Sequence, residues 1–401
     1  MQEKYLVMVT ADNHNKYYRM TPEGGRLKCE YGRVGAHPQV KFYSLDKYYD
    51  LLNQKLRKGY VDETFNHVSE VKKVDNGFKT IPGLVGKLVA KMLSWANQAI
   101  KANYRVSSDQ VTEDAIRRAQ AMIDELTYAG EVHRFNDILL DIFHTIPRSM
   151  QNVSAFLAED EEDFQKIIDR EQSLLDTMAG QVKHDDPVED ESEDKDGEKT
   201  ILQHNGISIK ECTDKETAEV KAHLDPETRS KFVKAYRVKN SRTERKFNAY
   251  CKKLGDRPNV KFLYHGSRNQ NYWNIMVQGL KLHPGQNVVR AGAMFGHGLY
   301  FAPKAKKSMG YTSLNGSFWT NRTGGSTTNK TLLFVYKVAM GKQYDIYSGW
   351  TPAYGNLNKT QMKRMGYDST FAHAGASIIN DECIVYDEDA CTIRYILEIE
   401  E

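Results

Sequence analysis

Short runs of β-branched and aromatic residues open the chain, at 4–9 (KYLVMV), 17–20 (YYRM), 26–31 (RLKCEY) and 39–43 (QVKFY). Turn formers separate them: Asp12-Asn13, Pro22-Glu23-Gly24-Gly25 and Gly35-Ala36-His37-Pro38. Runs of this length at this spacing predict a small antiparallel sheet. The period then lengthens, with Tyr48, Leu51, Leu52 and Leu56 at helical spacing across residues 45–58. From 81 to 180 the pattern is helical throughout. Leu84, Val85, Leu88, Val89, Met92 and Trp95 mark one amphipathic stripe, and Ile138, Leu139, Ile142 and Phe143 another. Phe164, Ile167, Ile168, Leu174, Leu175 and Met178 mark a third, and Ser108 or Thr112 can cap a helix carrying Ile116, Ala119, Met122 and Leu126. Beyond 199 strand-like runs return at 261–264, 332–340, 377–380, 383–386 and 393–399, with Gly-rich stretches between them. The fold class expected is multidomain α+β: a small sheet plus helix, an all-α domain, and a mixed α+β domain.

The length of 401 residues fits about three domains at roughly 100–200 residues each. A composition 40% hydrophobic and 27% charged is that of globular protein. No uncharged apolar run reaches the ~18 residues of a membrane span, and the first residues, MQEKYLVMVTADNHNKYY, lack the pattern of a secretory signal. The five cysteines (Cys29, Cys212, Cys251, Cys383, Cys391) form no CxxC pair. That speaks against a zinc ribbon and for reduced thiols in an intracellular protein; no metal site is expected.

Charge divides the chain more sharply than its net +3 suggests. Residues 1–60 carry 11 Lys and Arg against 6 Asp and Glu, 181–198 carry 2 against 9, and 199–401 carry 30 against 18. Basic ends around an acidic middle point to a polyanion partner for the ends. The stretch 184–198 (HDDPVEDESEDKDGE) has almost nothing to bury and reads as a solvated linker.

The chemistry is concentrated in the last domain. GxxxxGK[ST], GxGxxG after a strand, HExxH and GxSxG are all missing from the sequence, so the common nucleotide-hydrolase, dinucleotide-binding, metalloprotease and serine-hydrolase readings lack support. Three motifs remain. Tyr264-His265-Gly266-Ser267-Arg268 ends an apolar strand, offering an imidazole, an unhindered backbone and a hydroxyl to one ligand. Phe295-Gly296-His297-Gly298-Leu299-Tyr300-Phe301-Ala302 is followed by Ser308-Met309-Gly310-Tyr311, whose tyrosines can sandwich a flat ring. Asn380-Asp381-Glu382-Cys383-Ile384-Val385-Tyr386-Asp387 sets a carboxylate at the head of a strand, where acids are rare. Taken singly, each also reads as a loop, a packed aromatic core or a solvent-facing strand end.

In order and spacing, together with HGSRNQNYWNIMVQGLKL, MFGHGLYFAPKAKKSMGYTS and LLFVYKVAMGKQYDI, these motifs resemble the catalytic domain of the poly(ADP-ribose) polymerases, the His-Tyr-Glu type of ADP-ribosyltransferase. The segment 80–182, with His144-Thr145-Ile146-Pro147 and Ser173-Leu174-Leu175-Asp176, resembles the family's helical autoinhibitory domain. Residues 1–75 resemble its WGR DNA-binding module, although Tyr31-Gly32-Arg33 puts tyrosine where that module has tryptophan. An acidic linker at 183–200 and a catalytic domain at 201–401 complete a layout similar to the short, DNA-break-dependent members.

The resemblance implies NAD as substrate, no metal, DNA strand breaks and protein acceptors including the chain itself as partners, no membrane, and a monomer on DNA. It assigns His265 to the adenosine-side ribose and the Gly266 backbone and Ser308 hydroxyl to the nicotinamide carboxamide. Tyr311 stacks on the nicotinamide, Tyr300 lines its other side, and Ser267 and Asn271 lie near the adenine ribose. Glu382 is the catalytic glutamate, assisted by Lys307, and favours polymer over single transfer. Tyr31 and Arg33 would meet DNA, and Asp176 matches an acid near the adenine site. The expected location is the nucleus in a eukaryote, or the cytoplasm or nucleoid in a prokaryotic or viral setting. The alternatives are a mono-ADP-ribosyltransferase and a non-catalytic protein that binds DNA ends or senses NAD.

Overall fold

A computed structural model describes residues 1–64, 78–104, 111–181, 199–282, 294–315, 327–347, 349–375 and 377–401. The chain forms two compact units, Met1–Asp75 with Asn97–His184, and Asn76–Ala96 with Asp185–Glu401. The acidic linker lies almost wholly outside the described residues.

In the first unit the expected meander is present: β1 (Lys4–Thr10), β2 (His14–Glu23), β3 (Arg26–Arg33) and β4 (Gln39–Ser44), with α1 (Tyr48–Arg57) and a short β5 (Val61–Asp62). The antiparallel sheet has the order β4-β3-β2-β1-β5. Alternation along β1 feeds two cores: Leu6 packs with Tyr18, Met20, Leu27, Cys29 and Tyr48, while Val7 and Val9 pack among helical residues such as Leu139 and Phe143. Those helices are α3 (Glu113–Leu126), α4 (Val132–Thr145) and α5 (Asp163–Ala179), preceded in the chain by α2 (Gly83–Asn103). Thr112 is the α3 cap; its hydroxyl accepts from Ala115 N–H at 3.1 Å. Sheet and helices of this unit therefore share a core. Along α2, Leu88, Val89, Met92 and Ala96 belong to the core of the second unit, and Ile100 to that of the first.

The second unit contains two sheets. One has the order β6 (Ile207–Glu211), β7 (Phe232–Asn240), β14 (Cys391–Glu400), β10 (Lys330–Ala339), β8 (Val260–His265). The other has the order β11 (Gln343–Ile346), β12 (Ser369–Ala372), β13 (Glu382–Val385), β9 (Leu299–Phe301). Pairing is antiparallel in both, except between β11 and β12. Strand β10, between β14 and β8, is apolar on both faces, Phe334, Tyr336 and Val338 to one core and Leu333 and Val335 to another, which is why it reads as an unbroken hydrophobic run. The described α-helices beyond residue 199 are α6 (Ile201–His204), α7 (Asp214–Ala222), α8 (Pro226–Ser230), α9 (Ser241–Lys253), α10 (Tyr272–Gln278), α11 (Ala305–Met309) and α12 (Lys359–Met365).

One expected strand is absent. Residues 377–380 form a turn, with Ser377 at φ 70° and Ile379 93% exposed; the strand there is β12, a few residues earlier.

Candidate active site

The two sheets of the second unit are joined at the site. Tyr264, near the end of β8, and Ala302, just after β9, exchange both backbone hydrogen bonds, at 2.9 and 3.0 Å. Strand β9 continues the contact into β13, with Tyr300 opposite Ile384 and Phe301 opposite Cys383. His265, Tyr300 and Glu382 thus come from neighbouring strand positions, although far apart in sequence.

His265 places Nδ1 3.0 Å from the Tyr300 carbonyl. A carbonyl only accepts, so Nδ1 carries the proton and Nε2 keeps a lone pair for a ligand hydroxyl. Burial lowers the His265 pKa, partly offset by that carbonyl, and the ring stays neutral near pH 7. After it the chain turns through Gly266. A Cβ there would collide with the Ser308 carbonyl, so glycine lets the backbone approach α11. The Ser308 hydroxyl, buried on α11, donates to the Tyr264 carbonyl at 3.0 Å, which leaves its oxygen free to accept.

Ser267 N–H donates to the Tyr272 hydroxyl at 3.2 Å, and Asn271 Nδ2 to Ser267 Oγ at 3.2 Å. Ser267 and Asn271 are therefore brought together. Tyr272 in turn donates to the Leu332 carbonyl, tying the loop to β10.

Glu382 heads β13 and is 5% exposed. Lys307 Nζ lies 2.5 Å from its Oε1, while Oε2 is buried without a hydrogen-bond partner among the described residues. Burial raises its pKa and Lys307 opposes the shift. An open carboxylate oxygen held this way can accept from a sugar hydroxyl and stabilise positive charge developing nearby. The phenols of Tyr300 and Tyr311 are close enough to interact electrostatically, as are those of Tyr300 and Tyr386.

The remaining sequence-predicted residues lie in the other unit. Tyr31, on β3, stacks on Tyr18 with ring centroids 5.4 Å apart, and Lys55 Nζ is 5.8 Å from its ring. One face of Tyr31 is thus taken up internally. Arg33 donates to Asn13 Oδ1 at 2.7 Å and to the carbonyls of Asn13, Met150 and Gln151 at 3.1, 3.4 and 2.5 Å. Its guanidinium ties the sheet to the segment after α4. Asp176, on α5, accepts from Gln172 Nε2 at 2.9 Å. Among the described residues no group of three or more His, Cys, Asp or Glu could hold a metal ion, and no helix is long and apolar enough to cross a membrane. Sequence reasoning passed over Tyr272, Thr370 and Tyr386, whose hydroxyls pair over 5 to 91 residues and leave no local signal.

Comparison with known proteins bears on this unit. The sequence profile of the poly(ADP-ribose) polymerase catalytic domain matches residues 209–401. A poly(ADP-ribose) polymerase-like protein of invertebrate iridescent virus 6 is 32% identical over 189 residues, 46% of this chain and 96% of the viral one. An uncharacterized protein of the same virus is 30% identical over 182 residues, 44% of this chain and 76% of its own. The poly(ADP-ribose) polymerase of Drosophila melanogaster is 27% identical over 191 residues, 42% of this chain but 18% of the fly protein.

Proposed function

Because the chain belongs to the poly(ADP-ribose) polymerase family and is an NAD-dependent ADP-ribosyltransferase, we propose that it is a polymerase activated by DNA breaks, modifying protein acceptors including itself. The observation that carries the catalytic reading is Glu382, a buried carboxylate with one oxygen paired to Lys307 and the other open.

In this reading Gly266 and Ser308 hold the nicotinamide carboxamide, and Tyr311 and Tyr300 flank its ring. His265 Nε2 accepts from the adenosine-side ribose, with Ser267 and Asn271 beside it. The pyridinium leaves as neutral nicotinamide, so no strong acid is needed. Positive charge builds on the ribose as the glycosidic bond breaks, and Glu382 stabilises it through the 2′-hydroxyl. The same carboxylate, steadied by Lys307, orients the acceptor hydroxyl for chain growth.

DNA dependence rests on the basic charge of residues 1–60 and the resemblance of that module to a WGR domain. Tyr31 offers its remaining face to an exposed sugar or base, and Arg33 couples the module to the helical segment rather than serving as a free phosphate ligand. Asp176 belongs to a helical region that restrains the enzyme without DNA. Such a protein works wherever NAD and DNA meet, in a nucleus or, for a prokaryotic or viral protein, in the cytoplasm or nucleoid. The decisive experiment incubates the full chain with NAD, with and without nicked or linear DNA. Released nicotinamide and product length on a gel are read together. A single-unit adduct favours mono-transfer, and equal activity with closed-circular and linear DNA overturns break sensing. Autoinhibition is tested by removing the whole first unit, residues 1–75 and 97–184, which spares the part of α2 in the second unit's core. DNA-independent activity should rise.

A further inference from the structure

We propose that Tyr386 and Thr370 are positioning residues for the reaction, acting through the Phe295–Gly296 backbone to hold the Tyr300 ring in place. The proposal rests on the reading that Tyr300 walls the nicotinamide pocket.

Each hydroxyl has one proton, which fixes the direction of the chain of hydrogen bonds. The Tyr386 hydroxyl lies 2.8 Å from the Phe295 carbonyl, and its proton is committed there. Thr370 Oγ1, 2.8 Å from the Tyr386 oxygen, is then the donor to it. On the same segment Phe295 N–H donates to the Tyr300 oxygen at 3.0 Å, and Tyr300 donates to the Gly296 carbonyl at 2.8 Å. Two phenols thus grip three backbone groups of two consecutive residues. The flanks are held as well: Trp350 Nε1–H donates to the Met294 carbonyl at 2.5 Å, and His297 N–H to the Leu357 carbonyl at 2.8 Å. Gly296 has φ 83°, and a Cβ on it would strike the Leu357 backbone.

Register gives this path its purpose. Thr370, Ile384 and Tyr300 stand opposite one another in one row across β12, β13 and β9. Ile384 separates the two polar ends of the row, so the hydroxyls connect around it, through Tyr386 and the 295–296 segment. Thr370 and Tyr386 are buried and do not exchange these bonds for water. Both hydrogen-bonding capacities of the Tyr300 hydroxyl used here serve the backbone, so Tyr300 acts through its ring rather than by proton transfer.

The test compares Tyr386→Phe, Thr370→Val and Thr370→Ser in the full chain, measuring KM for NAD, kcat, nicotinamide inhibition and melting temperature. Loss of one buried hydrogen bond should raise KM and the nicotinamide inhibition constant together, by about three- to tenfold, with kcat within about twofold. Thr370→Ser, which keeps the hydroxyl, should match wild type. The double variant Tyr386→Phe/Thr370→Val should be little worse than Tyr386→Phe, because the two act in series. Unchanged KM and inhibition constant in Tyr386→Phe and Thr370→Val, even with a lower melting temperature, overturn the proposal. Tyr311→Ala separates this from failure of the pocket reading. If it abolishes nicotinamide inhibition while Tyr386→Phe has no effect, only the positioning role falls; if it too has no effect, the pocket reading falls and takes this proposal with it.

Discussion

Lys307 and Glu382 meet at 2.5 Å, yet the ammonium engages only one carboxylate oxygen and leaves the other buried and open. A buried ion pair is poor evidence of stability, since desolvation offsets most of its attraction. Its arrangement suits chemistry better: the lysine favours the charged carboxylate in a dry site, and the open oxygen keeps its capacity to accept a hydrogen bond.

Turning that carboxylate into a carboxamide should remove the charge and little else. Glu382→Gln is expected to lower kcat by about 10²–10³-fold and to abolish polymer, with nicotinamide binding close to wild type. Calorimetric titration with nicotinamide and a product gel check both halves. Polymer of normal length from this variant would remove Glu382 from the mechanism.

Acid should inactivate the enzyme earlier than an ordinary glutamate would allow. Burial raises the Glu382 pKa and Lys307 lowers it, so activity falls as the carboxylate takes up its proton, above the usual glutamate range. Lys307→Met removes the opposing influence, and the acid limb of kcat/KM should move to higher pH. A limb that stays put, or moves down, contradicts the assignment. The fold responds oppositely. A carboxyl whose pKa is raised on folding gives its full support to stability below its unfolded value, and that support is lost as pH rises through the folded one.

Gly266→Ala places a methyl group where the Ser308 carbonyl stands. The turn after β8 must move away from α11, so kcat/KM for NAD should fall by at least about 10²-fold and stability by about 1–3 kcal/mol. Steady-state kinetics beside thermal unfolding separates the two effects.

In the first unit the wholly buried Arg148 pairs with Glu171, which also accepts from Arg170 Nε at 2.8 Å. Glu171→Ala strands the buried Arg148 cation and should cost about 3–5 kcal/mol. Arg148→Met/Glu171→Leu, which removes both charges, should cost much less. Denaturant unfolding of the two variants tests this.

Much of this architecture was legible in residue order. The first meander, the helical stripes and the strand-heading carboxylate at Glu382 follow from local pattern, because each signal lies within a few residues of itself. What escaped depends on distance. β9 is three residues long and gains strand geometry only by lying between β13 and the end of β8. The run after Gly375 has strand-forming composition, but Ser377 turns into the left-handed region and closes a hairpin instead. The Thr370–Tyr386–Phe295 connection spans up to 91 residues, and tyrosine and threonine in strand-like runs announce packing rather than a partner. Arg33 read as a nucleic-acid ligand because it is basic and beside an aromatic; two of the three carbonyls that occupy it come from 117 and 118 residues away.

Strand β1, with Leu6 turned to one core and Val7 and Val9 to another, bears on how the protein can be cut. A boundary at residue 75 or 80 suits a cloning map, yet it severs a folding unit: helices freed of residues 1–64 would display the apolar bed that Val7 and Val9 fill, and the meander alone would bare those valines. The meander and the helical bundle should therefore melt as one calorimetric transition, and neither should be transplantable as a cassette without repair of the face it leaves behind.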